Sequence, residues 1–303
     1  MKRILQTISL LAACSLLVSC QDANQVYVRK AVRIMDKHGI YAEGAEWEAA
    51  KAEALAAKPA SLEEAREIVR AAGSVAGGKH TFLKTETNVT RDATSTEWEM
   101  PSVEVTEDGV AIVKLPPFSG NKNEGIKYTK TVLDAVPDSV RGVVIDLRDN
   151  TGGDMYPMIA AVHRLIDDEN ILRFRSRKRT QWIPLSFVIQ VVGVERMSQI
   201  PCPVALLTNE WTASSGEAVL LCFRGLDYVR VFGSPTAGYA SANQPFPLPD
   251  GSQLVLTTGC DVARTGEVFC DDPIAPEQQT ETPLEDALAW IAQQAQERIG
   301  SCP

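Results

Sequence analysis

The strongest constraint on how this chain folds is a local unit that it uses twice. Gly142-Val-Val-Ile-Asp-Leu147 is a short, strongly apolar segment, followed by the turn Arg148-Asp-Asn-Thr-Gly-Gly153 and a helix-forming stretch from Met155 to Ile166. Val204-Ala-Leu-Leu207 repeats the pattern, followed by Asn209–Gly216 and a helical segment that lines up Ala218, Leu221 and Cys222 on one face. Continuous apolar runs of this length suit strands buried on both faces of a sheet. Two strand, small-residue turn, helix units predict an α/β fold.

The second unit places Ser214 where a strand hands over to a helix. Free backbone N–H groups and the positive end of the helix dipole gather there and can hold a developing negative charge. Nucleophilic serines are displayed this way in unrelated hydrolases. Taken alone, Ser214 with Glu217 three residues later reads first as a capping box that opens an ordinary helix.

With 303 residues the chain can bury a sizeable core. Its formal charge of -9 argues against a nucleic-acid surface and fits peptide or small-molecule partners. Met1-Lys-Arg begins a basic stretch, and Ile8 to Val18 is apolar but too short to span a bilayer. The segment ends in Leu17-Val-Ser-Cys20, which resembles the lipobox of bacterial lipoproteins, with Leu11-Ala-Ala-Cys14 as a weaker second candidate. The resemblance implies cleavage before Cys20, a lipid on its sulfur, and a place in the bacterial cell envelope, membrane-attached by that anchor only. Residues 1–20 are accordingly read as a lipoprotein signal peptide, 21–76 as a helical N-terminal region and 77–303 as the core domain. In an exported chain disulfides persist, and a hairpin around Arg264-Thr-Gly266 could bring Cys260 and Cys270 together, with the facing of their side chains left open by the sequence. No Cys-x-x-Cys pair is present and His38, His80 and His163 are far apart in sequence, so neither a metal nor a cofactor is expected.

Along the chain, Val26 to Met35, Glu46 to Ala57 and the capping box Ser61-Leu-Glu-Glu64 predict three helices. Gly77-Gly-Lys-His80 then turns the chain into an extended run, and residues 84–101 read as a polar surface loop. Strands are expected at Gly109–Leu115, Tyr228–Phe232 and Gln253–Thr258, and a closing amphipathic helix at Leu284–Ile299. Residues 173–179 hold five basic side chains and read as a solvated strand or loop with Leu172 and Phe174 pointing inward.

Several of these pieces, in this order, resemble the carboxyl-terminal processing (tail-specific) peptidase family, in its tricorn-protease-like branch. They are Gly78-Lys-His80-Thr, Ile145-Asp-Leu-Arg-Asp-Asn-Thr-Gly-Gly153, Thr212-Ala-Ser-Ser-Gly-Glu217, Gly233-Ser-Pro-Thr-Ala-Gly238, Leu248-Pro-Asp-Gly251 and Ile274-Ala-Pro-Glu277. The resemblance implies a ClpP/crotonase-like α/β core and serine peptidase activity on peptides or protein tails. It implies Ser214 as nucleophile, His80 as general base, and an oxyanion hole made by the N–H of Gly152 or Gly153 with that of Ser215.

Several departures from the family pattern matter, among them Glu277 where the family usually has Asp. Tyr239 stands where many members carry a catalytic lysine, which leaves His80 as the base. Lys79 precedes that histidine, and Asp271, Asp272 and Glu217 all remain candidates for the acid that orients it. Thr81–Asp108 is too short for a PDZ domain. The competing expectation is the same fold with catalysis lost, holding a peptide or small ligand in its cleft.

Overall fold

The computed structural model describes residues 23–85, 98–167 and 169–300, with side chains up to residue 296. The signal peptide, Cys20, Cys302 and the polar segment 86–97 lie outside the described residues. The described residues form two compact units, one from 23–85 with Ala242–Gly259, the other from 98–167, 169–241 and 260–300.

The first unit begins with helix α1 (residues 23–38), α2 (Gly44–Ala56) and α3 (Leu62–Gly77). Their apolar residues recur every three or four positions: Tyr27, Val28, Ala31, Val32 and Met35 on α1, then Ala65, Val69, Ala72 and Ala76 on α3, all buried. Ser61 Oγ accepts from Glu64 N at 3.2 Å, whereas the Glu64 carboxylate accepts from Ala60 N at 2.7 Å, one residue earlier than a capping box requires. Strand β1 (Phe82–Lys84) pairs antiparallel with the first residues of β10 (Gln253–Val262), in the register Phe82↔Val255. β9 (Ser241–Pro247) also pairs with β10. Leu83, Leu254 and Leu256 complete the helical core. That is why the first unit extends beyond the helical region expected at 21–76: its helices need these strands to close their apolar face.

The second unit is built on a sheet that contains β2 (Ser102–Val105), β3 (Val110–Lys114), β4 (Gly142–Asp146), β7 (Val204–Thr208), β8 (Val229–Gly233) and β12 (Gln278–Gln279). The order is β12-β8-β7-β4-β3-β2, parallel throughout except for the antiparallel β2 edge. Every residue of β4 and β7 is buried, as their apolar runs require. Val143, Ile145, Val204 and Leu206 share one core with α4 (Lys122–Ala135), α5 (Met155–Ala161), α6 (Leu185–Val192) and α7 (Ser215–Phe223). Val144, Ala205 and Leu207 share another with α8 (Pro283–Gly300). The period-two alternation of a strand thus divides each apolar run between two helical layers.

β5 (Asn170–Arg175) and β6 (Thr180–Pro184) form an antiparallel hairpin, with Arg173 opposite Trp182. Cys260–Val262 of β10 pairs with β5, and β11 (Val268–Phe269) folds back on β10. A disulfide joins Cys260 to Cys270 there, a pairing that the sequence leaves open. The helix expected to run from Met155 to Ile166 ends at Ala161. Residues 163–165 continue as a 3₁₀ turn in which buried His163 spends both ring nitrogens on backbone, Nδ1 on Ala160 O (2.7 Å) and Nε2 on Met197 N (3.0 Å). The architecture is a mixed α/β fold with N-terminal helices, matching the expected class.

Candidate active site

Strands β4 and β7 lie side by side, with Asp146 opposite Leu207, so the turns that follow them leave the same edge of the sheet. The two turns are bound to each other along their length. Leu147 N donates to Leu207 O (3.0 Å), and Thr212 Oγ1 donates to Leu147 O (2.8 Å). Ala213 N donates to Asn150 O (2.9 Å). Asn209 exchanges two hydrogen bonds with Asp149, whose φ of 63° is unusual for a non-glycine residue.

Asn150, fully buried, organises the first turn from inside. Its Nδ2 donates to Leu115 O at 2.8 Å, and its Oδ1 accepts from Gly152 N at 3.0 Å. Gly152 has φ 105°, and a Cβ there would lie 2.8 Å from Ser214 Cβ and 3.1 Å from Ser215 N. Glycine is required on both counts, since it alone adopts that φ without strain and leaves the space in front of Ser215 N open. Gly153 lies against Phe118, whose N donates to Gly152 O and whose O accepts from Asp154 N. Ser215 Oγ donates to Gly153 O at 2.6 Å, tying the two turns at the glycine pair.

Ser214 itself has φ 52° and ψ −113°, a conformation that an L residue keeps only when its surroundings impose it. The surroundings are Glu217. Its carboxylate, fully buried, accepts from Ser214 N (2.9 Å) and Tyr239 N (2.7 Å) through Oε2, and from Gly238 N (2.9 Å) and Thr236 Oγ1 (2.5 Å) through Oε1. Burial raises its pKa, and the four donors act against that rise. Glu217 therefore fixes the backbone of the serine turn to the loop after β8. Both of its oxygens are engaged in that work.

Of the other acids, Asp272 is exposed. Asp271 keeps a buried Oδ1 with no hydrogen-bond partner among the described residues. Its carbonyl oxygen lies 2.8 Å from where a Cβ on Gly238 would be. A further buried carboxyl, which the sequence reading missed, is Asp261 at 2% exposure. Burial, with the Glu217 charge adding to it, pushes its pKa well above the usual carboxylate range. The signal available in the sequence was a charge inside the otherwise uncharged strand Gln253–Val262.

His80 belongs to the first unit, in the turn between α3 and β1. Gly78, with φ 72°, ends α3, and Thr81 N closes the turn on Gly78 O. Among the described residues no group of three or more His, Cys, Asp or Glu side chains is arranged to hold a metal ion.

The family model described as peptidase family S41 matches residues 109–280, which contain Ser214, both glycine turns and Glu217 but begin after His80. The nisin-resistance protein of Lactococcus lactis is 31% identical over 281 residues, covering 89% of this chain and 87% of that protein. The carboxy-terminal processing protease CtpA of Bacillus subtilis is 22% identical over 62% of this chain, which spans only 38% of its length. The solved structure of a lipoprotein from Streptococcus agalactiae superposes with a TM-score of 0.81 at 28% identity, over 90% of this chain and 97% of that one. The chain belongs to peptidase family S41.

Proposed function

We propose that the chain is a serine endopeptidase that cleaves peptides or protein tails through an acyl-enzyme. Ser214 Oγ attacks the scissile carbonyl carbon while His80 takes the hydroxyl proton. The tetrahedral oxyanion accepts from Ser215 N–H and Gly153 N–H. As the C–N bond breaks, His80 returns the proton to the leaving amine. Water then attacks the ester by the same route in reverse, releasing the new carboxyl end and regenerating the serine.

The observation that carries this reading is the meeting of the glycine turn with Ser214 and Ser215, held open by the lack of a Cβ at Gly152. Gly153 is favoured over Gly152 as the second donor because Gly152 N–H already serves Asn150 Oδ1. Among the three acids, Glu217 is committed to the serine backbone, and the unspent Oδ1 of Asp271 supports that residue as the one that orients His80. The name of the 31% identical relative supports a small peptide of the nisin kind as substrate. A lipid on Cys20 holds the enzyme at the bacterial envelope.

The test is labelling with a fluorophosphonate probe and peptide mapping. Wild type should label at Ser214 and hydrolyse unfolded protein, and Ser214→Ala should do neither while keeping its fold. Hydrolysis by Ser214→Ala at the wild-type rate would overturn the mechanism. A folded wild type that neither labels nor hydrolyses is instead a binding module on the same fold. Palmitate incorporation that disappears in Cys20→Ala tests the anchor.

A further inference from the structure

The turn that carries His80 is held by a chain of hydrogen bonds that runs from Thr81 through Thr257 and Asn243 to the His80 carbonyl. Thr81 Oγ1 donates to Thr257 Oγ1 (3.2 Å), and Thr257 Oγ1 donates to Asn243 Oδ1 (2.8 Å). Asn243 Nδ2 then donates to the carbonyl oxygen of His80 (3.0 Å). Thr257 is anchored in its own right: its N donates to Thr81 Oγ1 (3.0 Å) and its carbonyl accepts from Ile40 N (3.0 Å). Asn243 stands on β9, which also pairs with β10.

We propose that Asn243 is a positioning residue for His80, and this rests on the reading of His80 as the general base. The chain just after the imidazole is held twice, at the His80 carbonyl by the Asn243 amide and at Thr81 through its own hydroxyl. Only an amide serves at residue 243, because one end must donate to a carbonyl and the other must accept from a hydroxyl. A carboxylate keeps the acceptor for Thr257 but faces the His80 carbonyl with a second acceptor. An alanine leaves both partners unmet. Loss of the donor releases the His80 carbonyl, and a base that wanders by a fraction of an ångström loses its alignment with the hydroxyl it must deprotonate.

The test compares full-length wild type with Asn243→Ala, Asn243→Asp and His80→Ala, reading kcat, KM, the rate of fluorophosphonate labelling and the pH profile of kcat/KM. Both Asn243 variants should lose about 10- to 100-fold in kcat and in labelling rate, with KM little changed. In Asn243→Asp the acidic limb of the profile should also move to higher pH, since the added carboxylate favours the imidazolium form. Thr257→Val, which removes the donor to Asn243 Oδ1, should show the same split between kcat and KM and decides the matter if the Asn243 variants do not fold. Wild-type kcat, labelling and pH profile in the folded Asn243 variants, beside an inactive His80→Ala, would overturn the role of Asn243 alone. A loss confined to KM or to thermal stability would do so too. Wild-type activity in His80→Ala would instead overturn the base assignment, and the role of Asn243 with it.

Discussion

Asn209 and Asp149 exchange two hydrogen bonds, Asp149 N to Asn209 Oδ1 at 3.0 Å and Asn209 Nδ2 to Asp149 Oδ1 at 2.9 Å, across sixty residues of sequence. Asn209 Oδ1 also accepts from Trp211 N at 3.1 Å. One amide thus sets the start of the serine turn and its distance from the glycine turn. Asn209→Ala should destabilise the protein by about 0.5–1 kcal/mol, since these bonds lie at an exposed turn where water replaces them in part. Its labelling at Ser214 should slow by more than that stability loss accounts for, because the two turns no longer hold a fixed separation. Urea denaturation and labelling kinetics on one preparation would measure both.

Gly152→Ala tests the same meeting point from the other side. The new methyl would lie 2.8 Å from Ser214 Cβ, at a φ of 105° that alanine does not tolerate. The expected loss is about 1–3 kcal/mol of stability from the backbone alone. Activity should fall by about 10²–10³-fold, the cost of spoiling an oxyanion donor. Wild-type turnover in this variant would show that the space in front of Ser215 N does not hold the oxyanion.

Ser214 should be a site where stability and activity oppose each other. Its φ of 52° is maintained by the Glu217 carboxylate and by the neighbouring turn. Ser214→Gly should therefore be more stable than Ser214→Ala by about 1 kcal/mol, since only glycine adopts this backbone without strain. Both should be inactive. Equal melting temperatures for the two variants would mean that the serine turn relaxes in solution.

Asp261 should leave its mark on the pH dependence of stability. Its pKa in the folded protein is raised, by burial first and by the Glu217 charge second. A raised carboxyl pKa means that the folded state binds the proton more tightly than the unfolded chain. Its contribution is fully present below the unfolded value of about 4 and is lost as pH climbs through the folded value. Asp261→Asn removes that slope, so the variant should gain stability relative to wild type as pH rises from about 4 towards neutrality. Melting temperatures of the two proteins across that range would test it, and parallel curves would place the Asp261 carboxyl in water.

Much of the scaffold was legible because it depends on local spacing. The apolar runs of β4 and β7 mark strands covered on both faces, and the recurrence of Ala65, Val69, Ala72 and Ala76 every three or four residues marks a helix face. The strands at residues 102–105 and 241–247 were not legible. Their burial patterns do not alternate cleanly, and they exist because β3 and β10 offer an edge to pair with.

The sequence by itself determined the two strand-turn-helix units, the serine at the second turn, and the glycines that a positive φ demands at the first. It also determined the family, through motifs whose order survives in a linear reading. Only the tertiary structure decided what each polar group in those turns spends its bonds on. Glu217 passes from a candidate partner of a histidine to the anchor of the Ser214 backbone, and Gly152 N–H is engaged while its missing Cβ keeps the space beside Ser215 open. The reason is physical. A carboxylate three residues from a serine has many possible partners along the chain, and Glu217 is committed to the serine backbone only because the fold brings Thr236, Gly238 and Tyr239 to its other lone pairs.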